Sequence, residues 1–192
     1  MIEELIQFDH KLFFLINNSM TNPFFDWIMP LLRNKYFWSP LYLFLVVFFI
    51  RDYGRQGYVI ILFLLLTFAF ADMSSSGLIK PIAKRLRPCN DPEITQLISR
   101  ANCGSGFSFP SSHAANHFAI AMFLSTVFFK RWKWITAIAI VWAASISFAQ
   151  VYVGVHFPLD VLAGGLLGSM IGYITGTIVL VIQPKKIWHS GN

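Results

Sequence analysis

The sequence predicts an all-α protein, a polytopic membrane helix bundle of about five transmembrane helices with interfacial helices at its N-terminus. Three observations carry this. Of 192 residues, 56% are apolar and only 12% charged, against about 25% charge in a soluble domain. Several apolar runs approach or exceed the ~20 residues needed to cross a bilayer. A chain of this length could not hide so much apolar surface in one soluble core. Disorder, a coiled coil and a secreted disulfide mini-protein are excluded, and a soluble enzyme is disfavoured. No basic stripe is free of apolar runs, so nucleic acid is not an expected partner. The chain is read as a single membrane-embedded domain over 1–192.

The elements follow in order. Residues 3–16 mix charges with Leu5, Ile6, Phe8, Leu12 and Phe13, which suits a helix lying in the interface. Thr21, Asn22 and Pro23 form a helix start, and the short aromatic piece behind it is interrupted at Pro30. Residues 1–35 are therefore interfacial. The acidic N-terminus and the lack of a small-residue cleavage site predict no cleavable signal peptide. Spans are expected at 36–50, 58–79 with Asp72 inside, 114–129, 134–155 and 161–182. In the last span Gly164, Gly168, Gly172 and Gly176 form a small-xxx-small ridge for close helix contact, more simply within the chain than between chains.

Five spans place the termini on opposite faces. One face holds the N-terminus, the 80–112 loop and the 156–160 turn. Its bases are Lys11, Arg33, Lys35, Lys80, Lys84, Arg85, Arg87 and Arg100, balanced by Glu3, Glu4, Asp9, Asp26, Asp91, Glu93 and Asp160. The other face packs Arg51, Arg55, Lys130, Arg131, Lys133, Lys185 and Lys186 into short segments against Asp52 alone. The positive-inside rule assigns that second face to the cytoplasm and the 80–112 loop to the outside. Cys89 and Cys103 both fall in this loop. A disulfide there would close a loop worth roughly 3 kcal/mol in chain entropy.

Ionisable groups in or beside a membrane are costly and mark function. Here three separate segments bring them to one end of the bundle. Lys80, Lys84, Arg85 and Arg87 follow the second span. Pro110, Ser111, Ser112 and His113 open the third, and Gln150, His156 and Asp160 flank the turn between the fourth and fifth. Lys and Arg bind phosphate, Arg through its bidentate fork. The Ser111–Ser112 helix start offers free N–H groups to an anion. Asp160, four residues after His156, can fix the imidazole tautomer and strengthen its other nitrogen as a nucleophile. His113 is a second imidazole suited to general-acid work. Taken singly, Lys84 and Arg85 read as interfacial anchors. Asp72 reads as structural support, paired with Asn116 or His117.

Lys80, Arg87 and Pro88 fit K-x6-R-P. Residues 110–113 fit P-S-x-H, and His156 with Asp160 fits H-x3-D. In this order the sequence resembles the type 2 phosphatidic acid phosphatase superfamily. The resemblance implies a membrane phosphatase without cofactor or metal. His156 would form a phosphohistidine, Asp160 would orient it, and His113 would protonate the leaving oxygen. Lys80, Arg87, Ser111 and Ser112 would hold the phosphate. The family motif carries Ser-Arg where this chain has Ala149 and Gln150; Gln150 is carried as a substrate-binding residue without the charge, for which Lys84 or Arg85 is a candidate substitute.

The expected substrate is a membrane lipid phosphate or diphosphate, undecaprenyl diphosphate first. Phosphatidic acid, phosphatidylglycerophosphate and lipid A phosphates are alternatives. The expected place is the bacterial cytoplasmic membrane, multi-pass, with the site facing outward. A catalytically impaired phospholipid-binding or transport protein is the reading of another class. A vanadium-dependent haloperoxidase has a similar site, but the spans argue against it.

Overall fold

The computed structural model describes residues 2–98 and 103–183. Arg100, Lys185 and Lys186 from the charge tally lie outside them. Among the described residues every regular element is helical. The N-terminal pair is α1, Ile2–Phe14, extended by a π-turn over Leu15–Ser19, and α2, Pro23–Leu32. Asn22 caps α2 by accepting from the Phe25 N–H at 2.9 Å, as the Asn-Pro start predicted. Pro30 does not interrupt α2. It forfeits one backbone donor, and beyond it the Arg33 N–H bonds to the Met29 carbonyl at 3.3 Å.

Five further helices make the bundle. They are α3, Ser39–Tyr53; α4, Arg55–Asp72; α6, Ser112–Phe128; α7, Ile135–Tyr152; and α8, Pro158–Ile182. A π-turn over Met73–Ile79 carries α4 on into α5, Lys80–Ala83, so this rod outlasts the expected span. Arg55–Ala83, α7 and α8 are long and apolar enough to cross a membrane by length and composition. The 15-residue α3 and 17-residue α6 are shorter, about 22 and 25 Å at 1.5 Å per residue.

Helix α6 is the hub, packed against α4, α7 and α8. The glycine ridge explains its tight seating. A Cβ at Gly168 would strike the Ala115 carbonyl, and one at Gly172 the Ala119 carbonyl, so α8 lies directly on the α6 backbone. The ridge serves packing within the chain. Polar ties join the other helices. Thr67 donates to Thr175 at 2.7 Å between α4 and α8. Asn116 donates to Asp72 at 3.0 Å, which partners the intramembrane carboxylate. His117 pairs elsewhere, with the His113 carbonyl at 2.7 Å and the Tyr42 hydroxyl at 3.3 Å.

The two ends differ. At one, Phe49 stacks on Phe128, and Arg131 lies over the Tyr53 and Trp132 rings. At the other, α1, α2, the segment after α5 and the 153–157 turn gather around the starts of α6 and α8. Cys89 and Cys103 form the disulfide there, with Cα atoms 5.8 Å apart.

Candidate active site

The turn from α7 to α8 delivers His156. Gly154 takes φ +83, a conformation that L side chains rarely adopt, and its neighbours Ile98 and the Asn17 amide leave no room for a Cβ. The Val155 and His156 N–H groups fold back onto the Gln150 carbonyl, at 3.1 and 3.3 Å. Asn17 donates to the Tyr152 carbonyl at 2.7 Å and pins the same turn from the N-terminal side. His156 is therefore held by backbone, and the residue is 1% exposed.

Asp160 sits in the first turn of α8 and is fully buried. Its Oδ2 accepts from the Phe157 N–H at 2.8 Å and from the Ser108 hydroxyl. The His156 Nδ1 lies 3.5 Å from the same oxygen. That exceeds a good hydrogen bond, yet it sets Nδ1 toward the carboxylate; such contacts are often long in free enzymes. Oδ1 accepts from Arg85 Nη1 at 2.8 Å.

Arg85 is thus no interfacial anchor. Its second nitrogen, Nη2, donates to Asp9 Oδ2 at 2.6 Å, and its guanidinium rests 4.1 Å above the Phe157 ring. Asp9, fully buried on α1, also accepts from the Leu159 N–H at 2.9 Å. Helix α1 therefore supplies a carboxylate that holds both Arg85 and the start of α8. Sequence reasoning missed Asp9 and Ser108, and read Arg85 as an anchor or a substitute phosphate cation rather than as the partner of two carboxylates. Asp9 resembled one charge among many on a wet helix face, and nothing local tied it to a residue 76 positions on.

The other expected residues divide. His113 opens α6, its ring near-parallel to His117 at 6.4 Å. His156, Lys80 and Arg33 are all close enough for their charges to bear on it. The charges of Lys80 and Arg87 also bear on His156. Arg87 is steadied by the Gly106 and Ser105 carbonyls, at 3.2 and 3.3 Å. Ser111 is buried and spent on structure: its side chain caps α6 through the Ala114 N–H, and its own N–H bonds to the Asp160 carbonyl at 2.9 Å. Ser112 meets Ser76 at 2.7 Å. Lys84 is exposed and ends α5 in a left-handed turn. Gln150 is 1% exposed, and neither polar atom of its amide has a partner.

Burial pushes His156 down to about 4 from the usual 6.5, with the Lys80 and Arg87 charges adding to it and Asp160 opposing. A neutral imidazole at pH 7 is the form that can attack phosphorus. Arg87 is also lowered, by burial and then by Arg33. Among the described residues no group of three or more His, Cys, Asp or Glu converges as a metal site would require.

The comparisons with known proteins bear on the family. The model of the PAP2 superfamily matches residues 55–188. The chain belongs to the PAP2 superfamily. This PAP2 protein is 35% identical over 179 residues to a lipid A 4'-phosphatase of Bacteroides thetaiotaomicron, covering 91% of this chain and 78% of that one. It is 30% identical over 189 residues to an undecaprenyl-diphosphatase of Sulfolobus acidocaldarius, covering 96% and 85%. The fold is shared with the crystal structure of a transmembrane PAP2 type phosphatidylglycerolphosphate phosphatase from Bacillus subtilis, at TM-score 0.74 and 23% identity over 95% of this chain and 89% of that one. Aquifex aeolicus LpxE aligns at TM-score 0.54 and 30% identity over 89% and 93%. The protein is a membrane lipid phosphatase of the PAP2 type.

Proposed function

We propose that this chain removes phosphate from a membrane lipid through a phosphohistidine on His156, at a site open to the outer face. The carrying observation is the buried, neutral His156 aimed by Asp160 within reach of His113, Lys80 and Arg87. Nε2 attacks phosphorus, and the bond to the lipid oxygen breaks. His113 gives that oxygen its proton. Water then attacks the phosphorus and returns a proton to His113, and the P–N bond breaks to release phosphate. Lys80 and Arg87 stabilise charge on the equatorial oxygens, and no step needs a metal. Ser112 and the Gln150 amide are further phosphate donors in this reading, and Ser111 acts by capping α6.

The lipid A 4'-phosphatase relative supports a lipid A phosphate as substrate. Undecaprenyl diphosphate is the second reading, supported by the undecaprenyl-diphosphatase of Sulfolobus acidocaldarius at 30% identity. Short basic segments on the opposite face and the disulfide in the 80–112 loop support the outward orientation in a cytoplasmic membrane. Phosphate release by the purified protein across lipid A, undecaprenyl diphosphate, phosphatidic acid and phosphatidylglycerophosphate tests this. The expected result is release from at least one, abolished by His156→Ala. Release from none, or an unaffected His156→Ala, overturns it.

A further inference from the structure

We propose that Arg33 is a phosphate-binding residue of this site, supplying a third cation at the place where Gln150 brings none. This rests on the phosphatase reading above. Helix α2 lays Met29 into a buried cluster with Cys89, Ala149, Tyr152, Val153 and Val155. Those residues are the immediate neighbours of Gln150, of the turn before His156 and of Arg87. Arg33 is one helical turn beyond Met29, on the same face of α2, and so points at the same junction.

Two independent groups feel it there. Its charge bears on both the Arg87 guanidinium and the His113 ring. The placement is rigid. Tyr152 donates to Asp26 on α2 at 2.6 Å, and Trp38 Nε1 donates to the Leu32 carbonyl at 2.7 Å.

Arg33 is half-buried, and burial lowers it. No carboxylate among the described residues lies within ion-pair distance of it. A half-buried guanidinium whose charge bears on a second one is repelled unless an anion arrives. The candidate substitutes from sequence are spent or absent: Arg85 is taken by Asp9 and Asp160, and Lys84 is exposed. The anion that fits between Arg33, Arg87 and Lys80 is the substrate's phosphate group, held by charge-assisted N–H donors.

The bland alternative is a cation that merely complements the C-terminal dipole of α2. Inhibition by inorganic phosphate separates the two, measured on the full-length protein alongside its melting temperature without ligand. Arg33→Gln should weaken phosphate inhibition and kcat/KM about tenfold to hundredfold, the loss of one charge-assisted hydrogen bond. The ligand-free melting temperature should stay near wild type, and Lys35→Gln in the same loop should leave both readings unchanged. Wild-type phosphate inhibition in folded Arg33→Gln, with or without a lowered melting temperature, overturns the proposal. Phosphate-protected thermal unfolding gives the same comparison without lipid hydrolysis, so failure of the phosphatase reading is distinguishable.

Discussion

Arg85 bridges two buried carboxylates, Asp160 on α8 at 2.8 Å and Asp9 on α1 at 2.6 Å. The guanidinium holds Asp160 in place, and Asp9 offsets its positive charge. Asp9→Asn should therefore lower kcat/KM through Asp160, by about tenfold to a hundredfold on the scale of lost outer-shell contacts. Arg85→Lys should not rescue an Arg85→Ala loss, because an ammonium cannot reach both carboxylates with a planar fork. Full activity in Asp9→Asn would show that α1 is only a membrane anchor.

The acid limb of kcat/KM tests His156. Its folded pKa is below the unfolded value, so neutral imidazole persists as pH falls through 6.5 and is lost near 4. An ordinary imidazole would be only about one-tenth neutral at pH 5.5. Activity at pH 5.5 should hold, provided the fold survives. Stability should fall across the same window, because the unfolded state takes up the proton first. A limb centred near 6.5 would place His156 in a far wetter setting.

Gln150→Arg tests where the third cation resides. If Arg33 occupies that role, the substitution adds a buried charge beside three others. It should raise kcat/KM by no more than about threefold in an otherwise wild-type chain. In an Arg33→Gln background it should recover about tenfold, the worth of one charge-assisted contact. Equal gains in both backgrounds would mean that the two positions act independently.

Gly168→Val should be among the most damaging changes outside the site. The Ala115 carbonyl occupies the space of the new Cβ, and backbone cannot rotate aside as a side chain can. Overpacking of this kind costs about 1–3 kcal/mol or more. The melting temperature in detergent should drop, whereas Leu162→Val on the exposed face of α8 should change it little.

Reduction of the Cys89–Cys103 bridge should lower stability by about 2–4 kcal/mol. After reduction, an impermeant thiol reagent added outside intact cells should label the half-buried Cys103. Labelling only after lysis would invert the proposed orientation.

The helices and the motif residues were legible because their signals are local. A run of apolar residues, an Asn-Pro start and a Gly every fourth position each declare themselves within one element. His156 and Asp160 are four apart, so one turn of chain joins them. Asp9, Arg85 and Ser108 carry no such pattern. Each gains its contacts from a partner brought near by folding, and a buried carboxylate on α1 reads in sequence like a solvated one. Pro30 misled for the opposite reason: a local rule against proline yielded to the packing of Met29 against α7.

The glycine ridge has a mechanical corollary. With α8 resting on the α6 backbone, the helix whose first turn holds His113 and the helix that carries Asp160 form one stiff stem. The proposed chemical step sits on the stem's tip, while α3, α4 and the outer side of α8 present its greasy rind. Substitutions in that rind can retune which lipid tail glides alongside without disturbing the alignment of the reacting groups. The family's spread of lipid substrates across one constellation is what such a division of labour allows.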